Sequence, residues 1–135
     1  MKIDNAFEKA YLKLINEDVT ANKRIQAQNP NCPIDILKEL SEDEDSYVRM
    51  MVAYNPNCPL EILEKLSNDN NSNVRAAVAY RNCPKEILEK LSKDPDEDVR
   101  KNVAANPNCP ISILEKLSYD ENDLIRTYVA RNPNW

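Results

Sequence analysis

The sequence contains no glycine and no histidine in its 135 residues, and only one tryptophan and one phenylalanine. Without glycine there is no phosphate-cradling loop of the Rossmann or P-loop kind and no nucleophile elbow, because each of these needs glycine for its tight backbone. Without histidine the commonest general base and metal ligand is missing, which argues against most hydrolase and metalloenzyme chemistry. Long apolar runs are missing as well. The amino terminus, MKIDNAFEKAYLKLINED, alternates charged with apolar residues and reads as neither a secretory signal nor a membrane span. Basic charge is in deficit too: the net charge of -5 and pI near 4.8 argue against nucleic acid as the main partner, since that affinity comes largely from Lys and Arg displacing counterions. The expectation is a soluble cytoplasmic protein that is not an enzyme and holds no cofactor or metal.

What the sequence does have is repetition. Asn55 to Tyr80 reads NPNCPLEILEKLSNDNNSNVRAAVAY, and the same pattern occupies residues 29–54, 81–105 and 106–131, with a period of 26, 25 and 26 residues. Self-similarity at such a period is the signature of a solenoid, in which each unit buries its apolar stripe against its neighbours rather than in a central core. Residues 1–28 are the least regular. Phe7, Tyr11, Leu12, Leu14 and Ile15 mark an amphipathic helix there, and Val19 to Gln28 stands where a second helix would lie, with Ile25 and Ala27 facing inward. This segment is expected to be a degenerate helical cap, soluble on one face.

Within each unit the first helix is marked by Pro59 at its first position, Cys58 at the cap and Glu61 two residues after the proline, the spacing of a capping box. Ile62, Leu63 and Leu66 lie on one helical stripe, repeated as Ile36, Leu37 and Leu40, as Ile87, Leu88 and Leu91, and as Ile113, Leu114 and Leu117. An acidic turn then caps a second helix, whose inward residues are Val74, Val78 and Ala79 and their counterparts, ending with Ile125, Val129 and Ala130. Asn-Pro stops that helix, because the residue before proline is pushed out of the helical region. The third unit has lost one residue and this proline at Tyr80-Arg81-Asn82-Cys83, so its turn geometry is expected to differ. The sequence stops at NPNW, where another unit would begin. Either Trp135 covers the last stripe or the array continues in a longer protein, and exposure of Leu117 and Val129 would favour the latter.

The units resemble the leucine-rich repeat variant family, whose pattern is similar to V-R-x-x-V-A-x-N-P-x-x-P-x-x-L-L-x-x-L-x-x-D; Val74-Arg75, Val78-Ala79, Leu63, Leu66 and Asp69 stand at matching places. The likeness covers about 29–135, with units one or two residues longer than the family's. It implies alternating α and 3₁₀ helices in a right-handed superhelix. The expected fold is therefore all-α: a right-handed solenoid of short helix-turn-helix (α/3₁₀) repeats of about 26 residues, with no sheet. A second likeness is to HEAT repeats, through an Asp six residues before the Arg of each Val-Arg pair. Those units run to about 40 residues or more, so it is shared physics rather than membership.

Four groups of residues invite a functional reading. Cys32, Cys58, Cys83 and Cys109 stand one per unit, about 8 to 10 Å apart by the usual spacing of packed helices, too far for a disulfide or a common zinc ion, and are expected to be small buried hydrophobes. Arg49, Arg75, Arg100 and Arg126 form a cationic row that a nucleic acid could use in a HEAT-like manner, which is the alternative reading. The constant offset of Asp43, Asp69, Asp94 and Asp120 favours a structural ladder instead. Asn31, Asn57, Asn82 and Asn108 are expected to satisfy turn backbone groups. The positions that vary while the framework stays constant are Met50, Tyr54, Tyr80, Arg81, Lys101, Tyr128 and Arg131, with their neighbours in the second helices. A protein partner would bind there, because aromatic, Met and Arg side chains dominate interface energetics. The sequence names neither that partner nor an oligomeric state.

Overall fold

A computed structural model describes residues 5–135. Among the described residues there are nine helices and no strand: α1 (Asn5–Gln28), α2 (Ile34–Leu40), α3 (Ser46–Tyr54), α4 (Leu60–Leu66), α5 (Ser72–Tyr80), α6 (Lys85–Leu91), α7 (Glu97–Ala105), α8 (Ile111–Leu117) and α9 (Asp123–Arg131). The odd-numbered helices stack in one row, α1 on α3, α3 on α5, α5 on α7 and α7 on α9, while each short even-numbered helix touches the long helices before and after it. The chain is thus an all-helical repeat array.

The short helices begin on proline. Pro33, Pro59, Pro84 and Pro110 are the residues just outside the helix, with ψ of 148 to 159°. The Pro59 carbonyl accepts from both Ile62 N (3.1 Å) and Leu63 N (3.1 Å). This corrects the expected capping box, because Cys58 is one residue too early and proline has no N–H for Glu61 to reach. Each short helix ends on a serine missed in the sequence: Ser41, Ser67, Ser92 and Ser118 return Oγ to the carbonyl three residues back at 2.5 to 2.6 Å. The long helices begin as expected from their acidic turns, with Asp45, Asn71, Asp96 and Asn122 accepting N–H groups of the first turn.

The expected alternation with 3₁₀ helices is corrected. Both helices of each unit are α, and i to i+3 bonds such as Asp69 N to Leu66 O (3.1 Å) are confined to the turns at their ends. Seven residues suffice to close α-type bonds before the serine, as Ser67 N to Leu63 O (2.9 Å) shows.

The amino-terminal segment is one continuous helix rather than two. Shifted back by one period of 26, Pro33 falls on Phe7, the turn residue Asp43 on Glu17, and the cap Asp45 on Val19. With no proline to start a short helix and no cap to start a long one, nothing interrupts the helical run.

The core is the seam between the two rows. Val48, Val52, Ala53, Val74, Val78, Ala79, Val99, Val103 and Ala104 have no exposed surface, and Leu37, Leu63, Leu88 and Leu114 interlock with them from the short helices. Leu117 and Val129 are buried as well, while Trp135 is half exposed. Three expectations fail at faces that no described helix covers. Ile25 is 67% exposed and only Ala27 of its pair is buried; Ala130 is exposed; and the outward face of α1, with Phe7, Tyr11, Leu14, Ile15 and Val19, is apolar rather than soluble.

Candidate interaction surface

Two ladders hold successive units in register, and they fix which side chains remain for other work. In the first, Arg49 Nε and Nη2 meet the Asp69 carboxylate of the next unit at 2.8 and 3.1 Å, while Nη1 holds the Asp43 carbonyl of its own turn at 2.7 Å. Arg75 does the same with Asp94 (2.8 and 3.1 Å) and the Asp69 carbonyl, and Arg100 with Asp120 (2.9 and 3.4 Å) and the Asp94 carbonyl. Each fork is bidentate, the strong geometry for this pair. The same carboxylates also fix their own turns, accepting the N–H two residues on at 2.9 to 3.0 Å. Burial pushes the Asp94 and Asp120 carboxyls up most strongly of any single effect, but the hydrogen bonds from Arg75 and Arg100, those from the backbone of Asp96 and Asn122, and the nearby arginine charges together outweigh it and hold both below the usual value. Asp43 balances the same way against Lys23, which stands at the arginine's place in α1. Arg126, at the end of the row, holds the Asp120 carbonyl at 2.6 Å and no carboxylate among the described residues.

The second ladder is made by asparagines that the sequence showed only as helix stops. Asn106 is buried and donates Nδ2 to Ala79 O and Arg81 O at the end of α5, both at 2.8 Å, while its Oδ1 takes Asn108 N. Asn55 bridges to Ala27 O and Asn29 O, and Asn132 to Ala104 O and Asn106 O, in the same way. Of the asparagines expected in this role, Asn57 reaches back to Cys32 O at 3.0 Å, and Asn108 takes part through its backbone N–H. The signal that could have identified the ladder was the constancy of Asn before Pro, broken once.

That break is Arg81, which stands where Asn55, Asn106 and Asn132 stand. It keeps the extended backbone of a helix stop (φ -79°, ψ 159°), but the N–H of Cys83 lacks the turn bond that Cys58 and Cys109 make to Asn55 O and Asn106 O at 3.0 Å. Arg81 Nε is buried and has no hydrogen-bond partner among the described residues. Its charge lies close enough to Cys58 and Cys83 to pull their thiols down, yet burial dominates and raises both to about 11. Cys109, fully buried, is likewise raised to about 11. Such thiols stay protonated and unreactive at neutral pH. Among the described residues no three acidic or thiol side chains gather as a metal-binding group.

Beside the break the expected partner-binding residues divide. Tyr54 and Tyr80 come together edge to face, ring centres 5.6 Å apart at 71°, and remain 38% and 66% exposed. A groove of about 230 Å³ next to them is lined by Tyr80, Asn102, Ala105, Asn106 and Pro107. Met50 and Tyr128 are drawn against the core and offer only part of their surface. Lys101 pairs with Asp98 at 3.4 Å. Arg131 is exposed at the end of α9, two long helices beyond Tyr80. A larger hollow of about 570 Å³ runs along α1 and is lined by that helix alone, with Lys9, Leu12, Lys13 and Arg24 among its residues.

Stacked helix pairs, held by repeated side-chain ladders and displaying variable residues on one row, define a helical repeat array. Within it, residues 73–96 match the family model of the leucine rich repeat variant. The matched segment runs from α5 through the shortened turn at Arg81 into α6 and its acidic turn, the one place where the period contracts. No curated protein and no solved structure matches the chain.

Proposed function

We propose that the array is a non-catalytic scaffold that binds a protein partner through the long-helix row, centred on Tyr54 and Tyr80 with the neighbouring groove. The observation that carries this reading is the exposed edge-to-face tyrosine pair beside the single interruption in the framework. Two rigid aromatic rings next to a groove give the large contact area at low entropic cost that interface anchors need. The cationic row favours protein over nucleic acid as the partner, because Arg49, Arg75 and Arg100 already have carboxylate partners inside the array. No described helix is long and apolar enough to cross a membrane, and four unpaired buried thiols suit a reducing compartment such as the cytoplasm.

The test is a pull-down from the source cell with wild type beside the Tyr54→Ala, Tyr80→Ala double variant. Partners are expected to be lost with the variant. Retention of every partner, or DNA or RNA binding by the wild type with a steep salt dependence, would overturn the reading.

A further inference from the structure

The stack has two ends among its described helices, and they carry the two halves of one interior junction. In the interior, each long helix presents a forward face to the next: the arginine fork, and an alanine (Ala53, Ala79, Ala104) that the following helix covers completely. The following unit presents a backward face. Except at Arg81, its asparagine amide bonds the carbonyls of the alanine and of the helix stop, and in one unit a side chain points back, where Asn102 Nδ2 reaches Ala76 O at 2.9 Å.

On α9 the forward half stands uncovered. Arg126 meets no carboxylate among the described residues, Ala130 is exposed, and no side-chain amide reaches the Ala130 and Asn132 carbonyls. On α1 the backward half stands uncovered. Ile25 lies one period before Met51, in register with Asn102, and is 67% exposed. Asn29 lies one period before Asn55; its Oδ1 already holds Asn31 N at 2.9 Å, as the ladder asparagines do, but its Nδ2 has no partner among the described residues. The charges also match. Arg126 and Arg131 flank the forward face of α9, whereas Glu17 and Asp18 precede Ile25 on α1 at the register of the acceptor Asp43.

We propose that the chain associates head to tail with a second copy of itself, the forward face of α9 in one copy stacking on the outward face of the carboxy-terminal half of α1 in the next. Asn29 of the second copy bonds the Ala130 and Asn132 carbonyls, Ile25 covers Ala130, and Arg126 meets the acidic pair at Glu17 and Asp18. Such an interface is heterologous and does not close on itself, so it generates open chains of copies rather than a symmetric dimer. The amino-terminal half of α1 extends beyond the nine residues of α9 and takes no part.

The test is sedimentation velocity on the 135-residue chain across a hundredfold concentration range, with Ile25→Lys blocking the head and Ala130→Glu blocking the tail, both at exposed positions. Circular dichroism checks that each variant is folded, and Arg126→Glu and Asp18→Arg read the same two faces should either variant misfold. The wild type is expected to give oligomers that lengthen with concentration, each variant alone to stay monomeric, and an equimolar mixture of the two to give dimers and nothing longer. A monomeric wild type overturns the proposal. So does loss of assembly in Ile25→Lys with none in Ala130→Glu, which indicates symmetric pairing of α1, or a mixture that remains monomeric.

Discussion

The junction at Asn106 and the junction at Arg81 join the same kinds of helix, yet one is closed by hydrogen bonds and the other is not. At Asn106 a buried amide fastens two carbonyls at the end of α5, and its own backbone carbonyl closes the four-residue turn that follows. At Arg81 the amide and the proline are gone, and the turn hydrogen bond to Cys83 N is gone with them. A buried polar atom is left unsatisfied in exchange. The difference shows what the ladder does. At Arg81 packing and the Arg75–Asp94 fork keep α5 and α6 in place without an asparagine bridge to the Ala53 and Asn55 carbonyls, and the asparagine adds specificity and stability where it is present. The Arg81 junction is also where the tyrosine pair emerges, so the surface proposed for a partner sits where the framework is least fastened.

The largest difference between the two junctions is expected from removing the fastening. Asn106→Ala leaves the buried Ala79 and Arg81 carbonyls without their donor and should cost roughly 3 kcal/mol, whereas Arg81→Ala should cost less than about 1 kcal/mol, because its Nε donates to nothing. Urea unfolding of the two variants checks this. Equal losses would mean that the asparagine is not what distinguishes the junctions.

A second contrast uses the arginine row. Asp94→Asn removes the charge that Arg75 grips and should cost about 2 kcal/mol, while Arg126→Ala, at the end without a carboxylate, should cost less than about 0.5 kcal/mol. The acid limb follows from the same pairs. Asp43, Asp94 and Asp120 titrate below their ordinary value in the folded chain. Their contribution is therefore present above the unfolded carboxylate range, about pH 4, and is lost as pH falls from there through the lower folded values. Melting temperatures between pH 7 and pH 2 should drop steeply below about pH 4, and Asp94→Asn should flatten that drop. A gain smaller than either loss at Asn106 or Asp94 should come from repairing the break. Arg81→Asn with a proline inserted after it should raise stability by about 1 kcal/mol, read as a shift in urea midpoint.

Much of this was legible in the sequence for a physical reason: in a repeat array every structural requirement is written several times. The Leu and Val stripes gave the core, and the constant Asp-to-Arg offset gave a ladder whose partner turns out to lie one unit ahead. The capping box was misread because Glu61 after a proline imitates the pattern while proline removes the donor. Continuity of α1 was hidden because it depends on what Phe7, Glu17 and Val19 fail to do at register positions held elsewhere by Pro, Asp and a cap. The outward apolar face of α1 could not be told from a buried one, since periodicity marks which residues share a face and not whether anything covers it. Asn55, Asn106 and Asn132 were seen only as residues before proline; that their amides span to the previous unit needed coordinates.

The central claim is that an asparagine fastens the helix stops at Asn55, Asn106 and Asn132 whereas Arg81 fastens nothing at its own, and native-state hydrogen exchange of the Cys83 amide against those of Cys58 and Cys109 tests it most directly. Cys58 N and Cys109 N are each bonded at 3.0 Å to the asparagine carbonyl of their turn, and Cys83 N is not. Cys83 is expected to exchange at least tenfold faster than the other two, a difference of about 1.4 kcal/mol in opening free energy. Equal protection at the three positions would contradict the account.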